Sequence, residues 1–338
     1  MRPNLNLLKN VLSLPTAPFH EQAVIHFIKS FCAKLGVVCK QDRFGNLKAI
    51  YKRGKQKPIA FTAHMDHPGF EVLQTNRLGA KVRLLGGVPD KYFLKARVVL
   101  VDQDGLTKGR VLKILNKKKR EFWVQTKRPV RKKTFGYLDL PAFQLRKGMI
   151  HTKAADNLMS VAILLNLLEK LVRKKARANV VCLFTRAEEV GFIGASKAIQ
   201  NRFLPRNIPI VVLETSSAKA GKVEIGSGPV LRVGDRFSSF SWEMDLCLRL
   251  VAQELKSKEK SFEYQRGLLA GGRCEASLYV VKKYLVGGLA LPLGNYHNVG
   301  AKSYATEYVS LKDYQNLLKW LIFLSANFPK TLKRLIKK

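Results

Sequence analysis

A chain of 338 residues with 46% hydrophobic content is long enough to bury one large core or two moderate ones. No apolar run approaches the roughly 18 residues that a membrane-spanning helix needs, so the sequence argues against membrane partners. The formal net charge of +37 leaves room for attraction to nucleic acid or other polyanions, although no RNA- or DNA-binding signature accompanies it.

In chain order, residues 4–36 read as helix, with Ala23, Val24, Phe27, Ile28 and Phe31 at helical spacing. The segment QDRFGNLKAIYKRGKQKPIAFTAHMD then reads as two strands joined by a Gly/Lys turn and ending at His64. From Glu71 to Lys147 the pattern changes to short strands with Gly-rich turns, and nothing there supports a long helix. Residues 71–147 are therefore expected to be a small β-barrel-like domain inserted into a catalytic domain made of 1–70 and 148–338. The helix NLMSVAILLNLLEKLVRKK follows Asp156 and is expected to be amphipathic, with Val161, Ala162, Leu165, Leu168 and Val172 on one face. ANVVCLFT and IPIVVLET are nearly continuous apolar runs, as expected of strands buried on both faces of a mainly parallel sheet. Trp242–Lys256 and the segment VSLKDYQNLLKWLIFLSANF complete the pattern as helices, giving an α/β fold with a mainly parallel central sheet and flanking helices.

Charge is uneven along this plan. Residues 71–150 hold 20 Lys+Arg against 6 Asp+Glu, a local net of +14, with runs such as Lys117-Lys118-Lys119-Arg120. The simplest reading is a solvated cationic face. Cys32, Cys39, Cys182, Cys247 and Cys274 include no CxxC pair, and Cys182 lies in an apolar run. Reduced thiols in a cytoplasmic protein are expected. The opening MRPNLNLLKNVLSLPTA is broken by Lys9 and Asn10, so it lacks the uninterrupted apolar stretch of a signal peptide.

Five potential metal ligands punctuate the chain: His64 in AHMDHPGF, Asp156 in KAADNLMS, Glu189 in AEEVGFIGA, Glu214 in VVLETSS and His297 in PLGNYHN. Singly, each is more often a structural residue: a hydrogen-bonded His, a helix cap or a solvated helix start. Jointly they match the two imidazoles and three carboxylates of a two-metal hydrolase, one carboxylate bridging the ions. Acidic groups at the ends of buried strands are costly without partners, and several together repel unless cations hold them. Glu188 directly precedes Glu189, where a general base is wanted. Asp66 follows His64 by two residues, on the same side of an extended chain, where it can orient the imidazole. His20, His26, His67 and His151 are given no role.

These motifs, together with DRFGNLKA and GSGPVL, spread over nearly the whole chain, and the sequence resembles the tetrahedral aminopeptidase (glutamyl aminopeptidase-like) family of co-catalytic metallopeptidases. The long interval between His64 and Asp156 has room for the inserted β domain typical of that family. The interval from Glu214 to His297 is too short for the late domain of the related carboxypeptidase-type enzymes. The resemblance implies a zinc-peptidase-like fold and two divalent ions, zinc with cobalt and manganese as alternatives. One ion falls to His64, Asp156 and Glu214 and the other to Asp156, Glu189 and His297, with Glu188 as general base and Asp66 as partner of His64. It further implies a cis peptide between Asp156 and Asn157, short peptides as substrates, and a homodimer or dodecamer built through the insert. Phe93, Leu94, Phe122 and Trp123 are the apolar residues expected to serve that contact.

The sequence departs from the family in three places: Glu214 stands where Asp is usual, GGRCEAS replaces Gly-Gly-Thr-Asp-Ala, and PLGNYHN forms the approach to the last His. It reads as a divergent member. Two competing functions are a di-metal deacylase or amidohydrolase acting on a non-peptide amide, and a polyanion-binding protein with a vestigial metal site.

Overall fold

The computed structural model describes residues 3–132, 134–218, 222–269 and 272–336. The N-terminal helical stretch is two helices, α1 (Leu5–Ser13) and α2 (Gln22–Lys34). Asn4 caps α1 by accepting from Leu7 N–H at 3.0 Å. The expected single helix is interrupted by Pro15 and Pro18: Leu14, forced out of the helical region before Pro15, has ψ 138°.

Strands β1 (Val38–Gln41), β2 (Leu47–Arg53) and β3 (Ile59–His64) follow. The chain then enters β4 (Gly69–Asn76), β5 (Gly79–Leu85), the four-residue α3 (Asp90–Phe93), β6 (Arg97–Asp102), β7 (Gly105–Asn116), β8 (Glu121–Thr126) and β9 (Phe135–Leu138). These six strands close into a barrel in the order β4-β5-β8-β7-β6-β9. Phe70, Phe93 and Phe122 fill its interior, with ring centroids 5.6 Å and 4.9 Å apart along the series. Phe93 and Phe122 are therefore barrel core, unavailable for contact with another subunit, while Leu94 and Trp123 are half-buried. Alternation along a barrel strand sends every second side chain inward, and composition alone does not say which. The apolar groups that do face outward include Leu78, Leu106, Leu112 and Leu115.

Next come β10 (Gln144–Arg146), β11 (Met149–Thr152) and α4 (Ala155–Arg173), then β12 (Ala178–Thr185), α5 (Ile193–Gln200) and β13 (Ile210–Ser217). The rest comprises β14 (Val230–Asp235), α6 (Trp242–Lys258), β15 (Gln265–Leu269), α7 (Ala276–Val281), β16 (Val286–Leu293), β17 (Glu307–Ser310) and α8 (Leu311–Ile336). The main sheet has eight strands in the order β1-β2-β12-β3-β13-β16-β14-β15, and its central four run parallel. A separate antiparallel sheet, β10-β11-β17, takes up Gln144–Arg146, so this strand lies outside the barrel.

Helix α4 is not amphipathic. Nearly every residue from Ala155 to Leu171 is buried, because the helix packs against the sheet as well as against α1 and α8. A helix apolar on all sides is a core helix. All five cysteines are free, and Cys182 is fully buried. No helix among the described residues is long and apolar enough to cross a membrane.

Candidate metal centre

Register brings the candidate ligands together at the carboxyl ends of the central strands, where open α/β sheets form their sites. Thr185, the last residue of β12, pairs with His64, the last of β3. On the other side Val212 of β13 pairs with Thr62, so two residues further on Glu214 comes up beside His64 on the same face. Asp156 enters from the start of α4, through a peptide bond to Asn157 that is cis. His297 comes from a short turn after β16 in which Asn295, His297 and Asn298 all have positive φ.

His64 Nε2 lies 3.3 Å from Asp156 Oδ1, 3.8 Å from Glu214 Oε2 and 3.9 Å from Glu188 Oε2. His297 Nε2 lies 3.2 Å from Glu189 Oε1 and 3.8 Å from Asp156 Oδ2. Asp156 thus offers one oxygen to each half of the cluster. In each of the trios His64/Asp156/Glu214 and Asp156/Glu189/His297, the donor atoms lie within 4.8 Å of one another.

Asp66 plays a wider part than orienting one ring. His64 Nδ1 is 3.1 Å from the Asp66 carbonyl and 3.5 Å from its Oδ1. The Asp66 carboxylate accepts from the backbone N–H groups of Glu188 and Glu189, at 3.0 Å and 3.1 Å. One buried carboxylate thereby holds His64 and the Glu188-Glu189 turn in a common frame. Behind that turn, the buried Glu21 accepts from Ala187 N–H at 2.9 Å and from Arg186 Nε at 2.6 Å. Gly194 is required here, since a Cβ would come within 2.2 Å of the Arg186 carbonyl.

The electrostatics are those of a cation site. Burial opposes protonation of His64, yet Glu188, Glu214, Asp156 and Asp66 hold its pKa well above the ordinary imidazole value. Burial likewise opposes protonation of His297, but Glu189, Asp156 and Glu307 push it up to about 9. Burial drives Glu188 well above the usual carboxylate range, with Glu214, Glu189 and Asp66 adding to the effect against His64. Asp156 is buried too, which works to raise it, but His64, His297 and His67 hold it down to about 2. Asp156 Oδ1, Glu189 Oε1 and His297 Nε2 are all buried and make no well-formed hydrogen bond, their nearest charged neighbours being other members of the cluster at 3.2–3.3 Å. Buried polar atoms left unmatched cost about 1–3 kcal/mol each, more when charged. Divalent cations would satisfy all three, so the donor set fits the group that the sequence implies.

Supporting residues emerge that the motifs did not single out. Glu307, the first residue of β17, accepts from Asp156 N–H at 3.0 Å and from His297 N–H at 2.8 Å, tying one ligand from each end of the cluster to a single carboxylate. The buried His67 faces the Asp156 carbonyl with Nδ1 and Asn298 Oδ1, at 3.0 Å, with Nε2. Tyr296 stacks on His297 with centroids 3.8 Å apart. From the barrel side, Gly87 packs so close that a Cβ would lie 2.5 Å from His297 Nδ1. His67 sits one residue past Asp66 in AHMDHPGF and was within reach of the motif; Glu307, ten residues beyond His297, carried no comparable local signal.

The profile of the M42 glutamyl aminopeptidase family matches residues 124–319, more than half of the chain. The chain belongs to this family. It is a peptide-bond hydrolase of the M42 group, as its resemblance to the tetrahedral aminopeptidases implied. A putative aminopeptidase of Acetivibrio thermocellus is 25% identical over 329 residues, covering 89% of this chain and 91% of the relative. Among solved structures, the TET aminopeptidase of a marine sediment thaumarchaeal archaeon superposes with a TM-score of 0.83 at 19% identity, over 97% of this chain and 98% of the other. The TET1 peptidase of Pyrococcus horikoshii, described as assembling into a tetrahedron or a large octahedral shell, gives 0.78 at 22% identity, over 95% and 98%. These likenesses establish that the M42 fold extends across almost the whole chain, barrel included.

Proposed function

We propose that this M42 peptidase is a metal-dependent aminopeptidase that removes N-terminal residues from short peptides. The observation that carries the reading is the convergence of His64, Asp156, Glu189, Glu214 and His297, with three of their donor atoms buried outside any well-formed hydrogen bond. In this reading one ion is held by His64, Asp156 and Glu214 and the other by Asp156, Glu189 and His297. Two ions bound there would supply a water acidified towards neutrality and a polarised scissile carbonyl. Glu188 then takes the water's proton and returns it to the leaving amine. Asp66 keeps Glu188 in reach by holding its backbone. A free substrate α-amine, unlike an acylated one, could serve as a ligand to one of those ions, which would make the enzyme an exopeptidase.

Metal analysis of the purified protein, combined with aminoacyl anilides in free and N-acylated form and with added zinc, cobalt or manganese, tests this. About two ions per chain and hydrolysis confined to unblocked substrates are expected. Preferential hydrolysis of the acylated forms would replace the aminopeptidase reading with a deacylase.

We further propose that the chain self-associates, as the Pyrococcus enzyme is described as doing, through the outer face of the barrel. The exposed Leu106, Leu112 and Leu115 of β7 are the apolar groups suited to this contact. The surrounding charge opposes it, since residues 71–150 carry a net of +14. With a Debye length of about 10 Å at 0.1 M, added salt screens that repulsion while leaving the apolar contact intact. Sedimentation velocity is therefore expected to show association increasing with ionic strength, and a monomer at every salt concentration would remove the proposal.

A further inference from the structure

The basic run Lys117-Lys118-Lys119-Arg120 ends on a residue unlike the other three. The lysines are exposed, as a solvated face requires, but Arg120 is half-buried. It has φ 52° in the turn between β7 and β8, where its N–H donates to the Lys117 carbonyl at 3.1 Å and its carbonyl accepts from Leu84 N–H at 3.0 Å. Its guanidinium donates through Nη1 to the Gly86 carbonyl, through Nη2 to the Val88 carbonyl and through Nε to Asp90 Oδ1 at 3.2 Å. One planar fork therefore holds both ends of the loop 86–88.

That loop lies between β5 and α3, so its carbonyls have no ladder to join and depend on a side chain. It is also wedged between two neighbours. A Cβ on Gly86, whose φ is 88°, would come 2.9 Å from Pro68 Cβ, and one on Gly87 would lie 2.5 Å from Nδ1 and 2.7 Å from Cε1 of His297. Arg120 fixes a piece of backbone that rests on a candidate ligand.

The two imidazoles of the centre are held differently. His64 Nδ1 meets the Asp66 carbonyl at 3.1 Å and its carboxylate at 3.5 Å. Among the described residues no acceptor meets Nδ1 of His297, whose bond to Glu307 is made by its backbone N–H and whose Nε2 faces Asp156 and Glu189. A ligating histidine ordinarily has its ring fixed by a partner on the nitrogen that faces away from the ion. For His297 that duty falls to packing, with Tyr296 stacked on the ring and Gly87 against Nδ1 and Cε1.

We propose that Arg120 is a positioning residue for His297. By holding the loop 86–88 it fixes the imidazole for the ion shared with Asp156 and Glu189, so that the inserted barrel completes the metal centre. The inference rests on the two-ion reading above. It carries an asymmetry, since Gly87 packs against His297 while Asp66 holds His64.

Zinc titration of the full chain stripped of metal, followed by calorimetry, tests this without turnover, and anomalous diffraction says which site is filled. In Arg120→Met the ion beside His297 is expected to bind about 10–100-fold more weakly, the usual cost of losing an outer partner of a ligand, and the ion beside His64 to bind as in the wild type. Gly87→Ala, which leaves Arg120 in place, is expected to do the same by pushing the ring aside. Arg120→Lys, whose single ammonium cannot match the fork, is expected to fall between. Lys118→Met removes the same charge from the same run and is expected to leave both affinities unchanged. If Arg120→Met does not fold, Gly87→Ala and Arg120→Lys decide in the same way. Two ions bound as tightly in these variants as in the wild type would overturn the proposal and leave the two-ion reading intact. Equal weakening of both ions, or a Lys118→Met that weakens the ion beside His297 as much as Arg120→Met does, would overturn it as well. A wild type that takes up fewer than two ions would remove both readings.

Discussion

Glu188→Gln is expected to retain the metal complement of the wild type and to lower kcat by about 10²–10⁴-fold, the usual contribution of a positioned general base. The substitution changes one oxygen to nitrogen and preserves the backbone N–H that Asp66 accepts, so the turn carrying Glu189 keeps its anchor. Glu188 stands outside both trios that share Asp156; it also forms a third possible group with His64 and Glu189, but glutamine keeps an oxygen donor there, so metal content is expected to hold. Paired metal analysis and steady-state kinetics check this. A variant with more than about a tenth of wild-type turnover would take the base role away from Glu188.

Asp156→Ala has an effect of comparable size for a different reason. Asp156 offers Oδ1 to the His64 side and Oδ2 to the His297 side, so removing it would take one ligand from each ion of the proposed centre. Both ions are expected to be lost, and activity with them. Thermal unfolding gives a readout independent of turnover. Ligand binding at 100 times its Kd stabilises a fold by about 2.7 kcal/mol, so added zinc should raise the Tm of the wild type and leave that of Asp156→Ala unchanged. A variant that still binds two ions would show that Asp156 does not bridge them.

The candidate site was legible in the sequence because its chemistry conflicts with its surroundings. Glu214 ends the apolar run that opens β13, and Glu188 and Glu189 closely follow β12. Charges in such positions need a partner, which is a local signal. Asp66 was legible through its spacing from His64, although its grip on the Glu188 and Glu189 backbone was not, because that contact joins residues far apart in the chain. Glu307 was missed for the same reason: it works through two backbone N–H groups, a property not visible before the chain folds.

Parts of the fold were hidden for related reasons. Helical periodicity runs across Pro15 and Pro18, so the break between α1 and α2 was masked by an apolar pattern that both helices share. The face of Val161, Ala162, Leu165, Leu168 and Val172 suggested an amphipathic α4, whereas the sheet, α1 and α8 cover the helix along most of its length. Phe93 and Phe122 offered themselves as contact residues until closure of β4 against β9 turned them into the interior of the barrel.

The central claim is that Asp156 bridges two ions between His64 and His297. Anomalous diffraction from crystals of the zinc-loaded protein tests it most directly. Two peaks about 3.5–4 Å apart are expected, one beside His64 and Glu214 and the other beside Glu189 and His297, with Asp156 between them. A single peak, or two peaks with no shared carboxylate, would contradict it.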